Sequence, residues 1–234
     1  MKLVELFKKY WAIYNHRFLR MARKWKDHGV DQDANDAIWF FGCSHVEGVS
    51  LSPEETAPKI LSVLTNTNVI NYGVSGSGPV MVEWQLDQLL KKYKPKAIVI
   101  AWPSFLRWQT HSNQLFPILW IPACLDGKTF HFHNDHFGCK RLWPEQWSDY
   151  VKTVTSGELE KMNYKIVEQV REKIKGIPVV EFEYSPDCTL EKFPVPCFPW
   201  IDLAPDNIHP GPKTQKLIAE WVHNQLLEKQ TQGG

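Results

Sequence analysis

The sequence predicts an α/β protein whose parallel sheet is covered by helices on both faces. Short apolar runs at Ala37-Ile38-Trp39-Phe40-Phe41, Val69-Ile70-Asn71-Tyr72, Ala97 to Trp102 and Pro178 to Phe182 have the length and composition of buried strands. Helical stretches alternate with them at crossover length, which implies right-handed connections between parallel strands. The first three runs also end in unusual polar loops, Gly42-Cys43-Ser44-His45, Gly73-Val74-Ser75-Gly76 and Trp102-Pro103-Ser104. In an open parallel sheet such loops collect at the carboxyl edge, where sites form.

Taken in order, the chain opens with a helix over residues 2–26. Leu3, Phe7, Tyr10, Tyr14, Phe18, Met21 and Trp25 recur at steps of three and four and line one face. Its other face is basic. After the first strand, Ser52 followed by Pro53 and Glu55 forms a capping-box pattern that opens a helix reaching about Leu64. The second strand closes through a Gly-rich loop into a helix over 79–93. Residues 103–150 show no clear period and are rich in Trp, His and Pro, so they are expected to be an insertion of loops and short helices. An amphipathic helix over about 158–175, the fourth strand, a Pro- and Cys-rich loop over 185–205 and a last helix over about 212–227 complete the chain. The expected organisation is a basic N-terminal helix, residues 1–30, followed by one α/β domain, residues 36–230.

Composition narrows the function. The 27 Lys and Arg nearly balance the 26 Asp and Glu, a formal net charge of +1, which argues against a dedicated nucleic-acid binder. The charge is unevenly spread, with eight basic and two acidic residues in 1–30 and an acidic excess beyond. That helix suits an anionic surface or a partner protein, although a packed aromatic stripe with a solvated charged face explains it equally well. No run of eighteen apolar residues occurs, and the opening MKLVELFKKYW is too broken by charge for a secretory leader, so a cytoplasmic protein is the default expectation, with peripheral membrane association through the first helix. Five cysteines without a C-x-x-C pair do not make a disulfide framework.

The chemistry is carried by residues far apart in the chain. Ser44 follows the first strand, and Gly48 four residues on lets the backbone turn away. A base for its hydroxyl stands in Asp206-Asn207-Ile208-His209-Pro210. An Asp three positions before a His on a turn can accept the Nδ1 proton and leave Nε2 facing a nucleophile. Each piece also has an ordinary structural use, Ser44 as a helix cap, Asp206 with His209 as a turn, and Gly73 with Gly76 as a tight loop.

Gly42-Cys43-Ser44-His45-Val46-Glu47-Gly48, Asn71-Tyr72-Gly73-Val74-Ser75-Gly76 and Asp206 to His209 resemble, in this order, three sequence blocks of the SGNH, or GDSL-type, serine hydrolases. The resemblance spans about residues 37–228, apart from the insertion. It implies a three-layer α/β/α sandwich of flavodoxin-like type and an esterase without metal or organic cofactor. It assigns Ser44 as nucleophile, His209 as base and Asp206 as its orienter, with the Ser44 and Gly73 backbone amides in the oxyanion hole. Two departures stand out. Cys43 replaces the usual Asp before the nucleophile, and Ala101-Trp102-Pro103-Ser104 replaces the block that supplies an oxyanion-hole Asn. Pro103 has no donor of any kind. Ser104 is the nearest replacement, with Arg107, Gln109 and Asn113 as others. Trp102, Trp108 and Arg107 are expected to contact substrate, for which a small acyl ester such as a carbohydrate O-acetyl group is favoured. A non-catalytic binding module of the same fold and a membrane-surface lipid esterase are the alternatives. The string His131-Phe132-His133-Asn134-Asp135-His136-Phe137-Gly138-Cys139 lacks a recognised zinc spacing and is read as a polar loop.

Overall fold

A computed structural model describes residues 34–75, 77–103, 107–108, 123–126, 129–132, 156–183, 195–207 and 209–232. The chain divides into two compact units, Met1–Ala34 and Asn35–Gly234. The helix expected over residues 2–26 falls outside the described residues.

In chain order the second unit contains β1 (Ile38–Phe41), the one-turn helix α1 (Ser44–Glu47), a 3₁₀ turn (Pro53–Glu55), α2 (Ala57–Thr65), β2 (Val69–Asn71) and α3 (Pro79–Leu89). There follow β3 (Ala97–Trp102), β4 (Arg107–Trp108), β5 (Ala123–Asp126), β6 (Thr129–Phe132), α4 (Ser156–Lys173), β7 (Val179–Glu183) and α5 (Pro212–Gln232). The strands β2, β1, β3 and β7 lie side by side in that order, and every pairing is parallel. β1 and β3 are buried along their whole length, which is why they read as continuous apolar runs rather than as alternating ones.

Alternate side chains of the sheet build two cores. Ile38, Phe40, Ala97, Val99, Ala101, Val180 and Phe182 pack with Ala57 and Leu61 of α2 and with Ile218, Ala219, Val222 and Leu226 of α5. Phe182, Phe198 and Trp221 close this layer edge to face, with centroids 4.8–5.7 Å apart. The intervening residues Trp39, Phe41, Ile98, Ile100 and Trp102 point the other way and are fully buried. On that side α3 and α4 pack together, joined by Lys173 to Glu83 and Asp87, both at 2.9 Å. Tyr72 stacks on Phe41 with centroids 5.1 Å apart. The result is the expected α/β/α sandwich.

The capping box at Ser52 forms, but it heads the 3₁₀ turn rather than α2. The Glu55 carboxylate accepts the Ser52 N–H at 3.0 Å and its hydroxyl at 2.7 Å, and α2 starts two residues later behind Thr56. The insertion differs from the expected loops and short helices. It contains a three-stranded antiparallel sheet of order β4-β5-β6, with Arg107 opposite Cys124 and Leu125 opposite Phe130. The strands are only two to four residues long and mix His, Cys, Asp and Thr with their apolar positions, so no period stands out from the surrounding Trp and Pro. The legible signal was Asp126-Gly127, a hairpin dipeptide between two short runs.

The start of α5 is fixed by a remote carboxylate. Asp202 Oδ1 accepts the Thr214 N–H and hydroxyl, both at 2.8 Å, and Oδ2 accepts the Lys213 N–H at 2.9 Å. Partial burial pushes this carboxyl upward, but the donors at Lys213 and Thr214 outweigh it and hold it below the usual Asp range. Asp202→Ala is therefore expected to cost about 1–2 kcal/mol in urea unfolding at neutral pH, the usual value of a lost helix cap. A depressed folded-state value gives stability that is present above the unfolded value and lost as pH falls. The gap between the two proteins should close below about pH 4.

Candidate active site

Gly42 leaves β1 between two close neighbours. A Cβ there would lie 2.4 Å from Val46 Cγ2 and 3.0 Å from the Ala101 carbonyl oxygen of β3. The chain then turns into α1, whose first residue is Ser44, 5% exposed. As that first residue, Ser44 has no carbonyl one turn back to take its N–H. Gly48 ends the helix in the left-handed region at φ 76°, where a side chain would also strike Thr56 Cγ2 at 2.2 Å. The chain passes through Val49 to Ser50, itself left-handed at φ 67°.

The second loop is laid directly on α1. Asn71 donates through Nδ2 to the Val46 carbonyl at 2.8 Å and accepts the Gly73 N–H on Oδ1 at 2.9 Å. Glu47, buried on α1, accepts the Ser75 N–H at 2.7 Å, and Val74 N–H bonds the Gly42 carbonyl at 2.9 Å. The Gly73 amide, expected to face an oxyanion, is thus already engaged by Asn71. To serve a substrate oxygen it has to share or exchange that acceptor.

At the end of the third strand Trp102 is 1% exposed, and its indole N–H donates to Glu181 at 3.0 Å. Arg171 of α4 grips the same carboxylate at 2.9 Å. The ring expected to contact substrate is part of the sheet packing. Pro103 is buried beside it. Ser104, Gln109 and Asn113 lie outside the described residues, as do the side chains of Arg107 and Trp108 and the stretch His133 to Cys139; His131 and Phe132 are described there only as backbone of β6.

The loop before α5 supplies the acid–base pair. Asp206 Oδ2 lies 2.6 Å from His209 Nδ1, and Oδ1 accepts the His209 N–H at 3.0 Å. The carboxylate therefore holds both the ring and the backbone of its partner, which leaves Nε2 as the working nitrogen. Three contacts, two from the pair itself and one from α5, join this segment to the α1 turn. The His209 ring meets His45 edge to face with centroids 5.6 Å apart, Ser50 Oγ donates to Asp206 Oδ2 at 2.7 Å, and Gln215 Nε2 donates to the His45 carbonyl at 2.9 Å. His45 is the neighbour of Ser44, so the Asp206–His209 pair lies against the turn that begins at Ser44. Trp200 meets the His45 ring edge to face, with centroids 5.2 Å apart. Burial pushes the His209 imidazole below its ordinary value, against the opposing pull of Asp206, which favours the neutral ring.

Fold and site together define a parallel α/β/α protein carrying a hydroxyl, an imidazole and a carboxylate at the carboxyl edge of its sheet. No protein-family model matches the sequence, and no curated protein sequence matches it. Among solved structures, the chain is similar to the psychrotrophic esterase EstA from Pseudoalteromonas sp., at 16% identity and TM-score 0.42, covering 84% of this chain and 100% of that one. A protein assigned to the G-D-S-L lipolytic family from Desulfitobacterium hafniense DCB-2 matches at 14% identity and TM-score 0.39, over 82% and 99% of the two chains. The SGNH-hydrolase family esterase AlinE4 matches at 16% identity and TM-score 0.36, over 65% of this chain and 60% of its own. At these identities and scores the functional reading rests on the chain's own geometry.

The residues that sequence reasoning missed are His45 and Ser50 on the α1 turn, Glu47 beneath the second loop, and Gln215 on α5. Glu47 was visible as an acid within the first sequence block; nothing local links Ser50 to a carboxylate 156 residues away.

The close approach of the second loop to α1 gives a direct test. A Cβ at Gly73 would lie 2.4 Å from the Glu47 backbone nitrogen and 2.8 Å from the Val46 carbonyl carbon. Neither is a flexible side-chain end, so Gly73→Ala should lower unfolding stability by about 1–3 kcal/mol, as overpacking does. Unchanged urea midpoints would show that the loop sits elsewhere.

Proposed function

We propose that this chain is a serine ester hydrolase acting through an acyl-enzyme on Ser44. The observation that carries the reading is the Asp206–His209 pair at 2.6 Å, docked on the turn that begins at Ser44 through His45 and Ser50. The order and spacing of the sequence blocks around Ser44, Gly73 and His209 support it. In this reading His209 Nε2 takes the Ser44 Oγ proton as the oxygen attacks the ester carbonyl. The same nitrogen then returns it to the departing alcohol. Asp206 holds Nδ1–H and stabilises the imidazolium. The Ser44 amide is the first donor to the oxyanion, with Gly73 joining once it shares its bond to Asn71, and Ser104 the nearest candidate for the third. Water on the same base then releases the acid.

The substrate class favoured is a small acyl ester, with an O-acetyl group on a carbohydrate as the particular case. A Trp-rich stretch after the third strand supports a sugar over a long lipid chain, and Trp200 beside His45 supplies an aromatic ring near the pair. A non-catalytic binding module is favoured by one observation, the Gly73 amide bonded within the protein while Pro103 stands where a donor is expected.

Hydrolysis of p-nitrophenyl acetate against longer acyl esters separates these readings. Ser44→Ala and His209→Ala should each reduce kcat/KM to near background, and a fluorophosphonate should label wild-type protein but not Ser44→Ala. Hydrolysis surviving in both variants removes the triad, and absence of labelling with a folded protein favours the binding module. Because burial depresses His209, the acid limb of kcat/KM should have its midpoint below about pH 6.5, the ordinary imidazole value. Asp206→Asn removes the group that opposes the depression. Its rate should fall roughly 10²–10⁴-fold and its acid limb move to still lower pH.

A further inference from the structure

Ser50 has two unusual properties at once. It is a non-glycine residue held at φ 67°, and its hydroxyl reaches Asp206 Oδ2 at 2.7 Å across 156 residues. A left-handed conformation is unfavourable for a residue with a Cβ and persists where the surroundings impose it. Here the turn imposes it, with Gly48 N–H and Val49 N–H both on the Ser44 carbonyl at 3.0 and 3.1 Å, and Leu51 N–H on the Gly48 carbonyl at 3.1 Å. The turn that begins at Ser44 therefore ends by presenting a second hydroxyl, and this one falls on the oxygen of Asp206 that also faces His209 Nδ1. With His209 N–H on the other oxygen, three donors among the described residues hold the carboxylate in its orientation.

We propose that Ser50 is a positioning residue, a hydroxyl that fixes Asp206 and thereby sets both the orientation and the basicity of His209. This rests on the hydrolase reading for its purpose, but the arrangement is testable without it. A donor on Asp206 Oδ2 spreads the carboxylate's negative charge and weakens its hold on the imidazole proton. The other groups facing the ring are His45 on α1, which opposes protonation of His209, and Cys43 before α1, which favours it. Neither changes when Ser50 is altered. Since Ser44 and Ser50 share one turn, nucleophile and orienter are also held in one frame.

The positive φ makes the test selective. Ser50→Gly removes the hydroxyl at a position where glycine relaxes the backbone, so the variant should be at least as stable as wild type. Ser50→Thr keeps the hydroxyl but puts a β-branched side chain at positive φ, so it should lose stability. NMR titration of the His209 ring in the full chain reads the effect directly. In Ser50→Gly the titration should move to higher pH, and in Ser50→Thr it should stay with wild type. With p-nitrophenyl acetate, Ser50→Gly should lower kcat roughly three- to tenfold and leave KM nearly unchanged, with the acid limb moving the same way. An unmoved His209 titration in a folded Ser50→Gly protein overturns the proposal. Loss of the hydrolase reading is a separate result, seen as Ser44-independent or absent hydrolysis by wild type, and the titration then still decides whether Ser50 governs the pair.

Discussion

The site depends on a switch in the direction of winding at β1. From this central strand the chain crosses first to β2 on one side and then to β3 on the other, the strand order at which open α/β sheets place sites at the carboxyl ends. Gly42 stands at that edge, too close to Ala101 and Val46 for any side chain. Complete burial of β1 and β3 fixes their register, Phe41 opposite Ile100, because a one-residue slip would exchange the two cores. The position of Ser44 is thus set by strand pairing together with the close packing of the turn at Gly42 and Gly48.

Around that fixed point the polar groups are arranged by backbone acceptors and amides more than by side-chain pairs. Asn71 and Glu47 clamp the second loop on α1. Gln215 ties α5 both to the α1 turn and to α2, donating to the His45 carbonyl and accepting the Ala57 N–H, each at 2.9 Å. A buried amide that joins three segments rigidifies all of them, since a buried polar group is costly to leave unsatisfied.

Much of this was legible in the sequence. β3 was expected over Ala97 to Trp102 and found there, because six apolar residues between a Lys-rich flank and Pro103 leave little choice. The helix ends were less legible. α3 stops at Leu89 rather than running to Tyr93, and α5 continues past Leu227 to Gln232, since fraying and length are settled by tertiary packing rather than by local signals. The insertion was misread because its strands are too short to carry a period. At the site, the Asp206–His209 pair was legible through its spacing, and Ser44 as its nucleophile belongs to the proposed function. Their supports were not legible. Ser50 and Gln215 act through contacts with distant segments, and Trp102, expected on the rim, is drawn into the layer below by Glu181 and Arg171.

The clasp at Asp202 has a consequence for how the site comes together. Gly211 N–H on the Asp202 carbonyl, the Leu203–Pro210 bridge and Ala204 N–H on the His209 carbonyl close residues 202–211 into a loop on itself. Asp206 and His209 therefore lie within one locally closed segment leading into α5. Ser44 and Ser50 belong to the opposite end of the chain, and closing contacts of such sequence separation costs chain entropy. The candidate site is thus divided between the two ends of the chain, and the Ser50–Asp206 bond ties them across 156 residues.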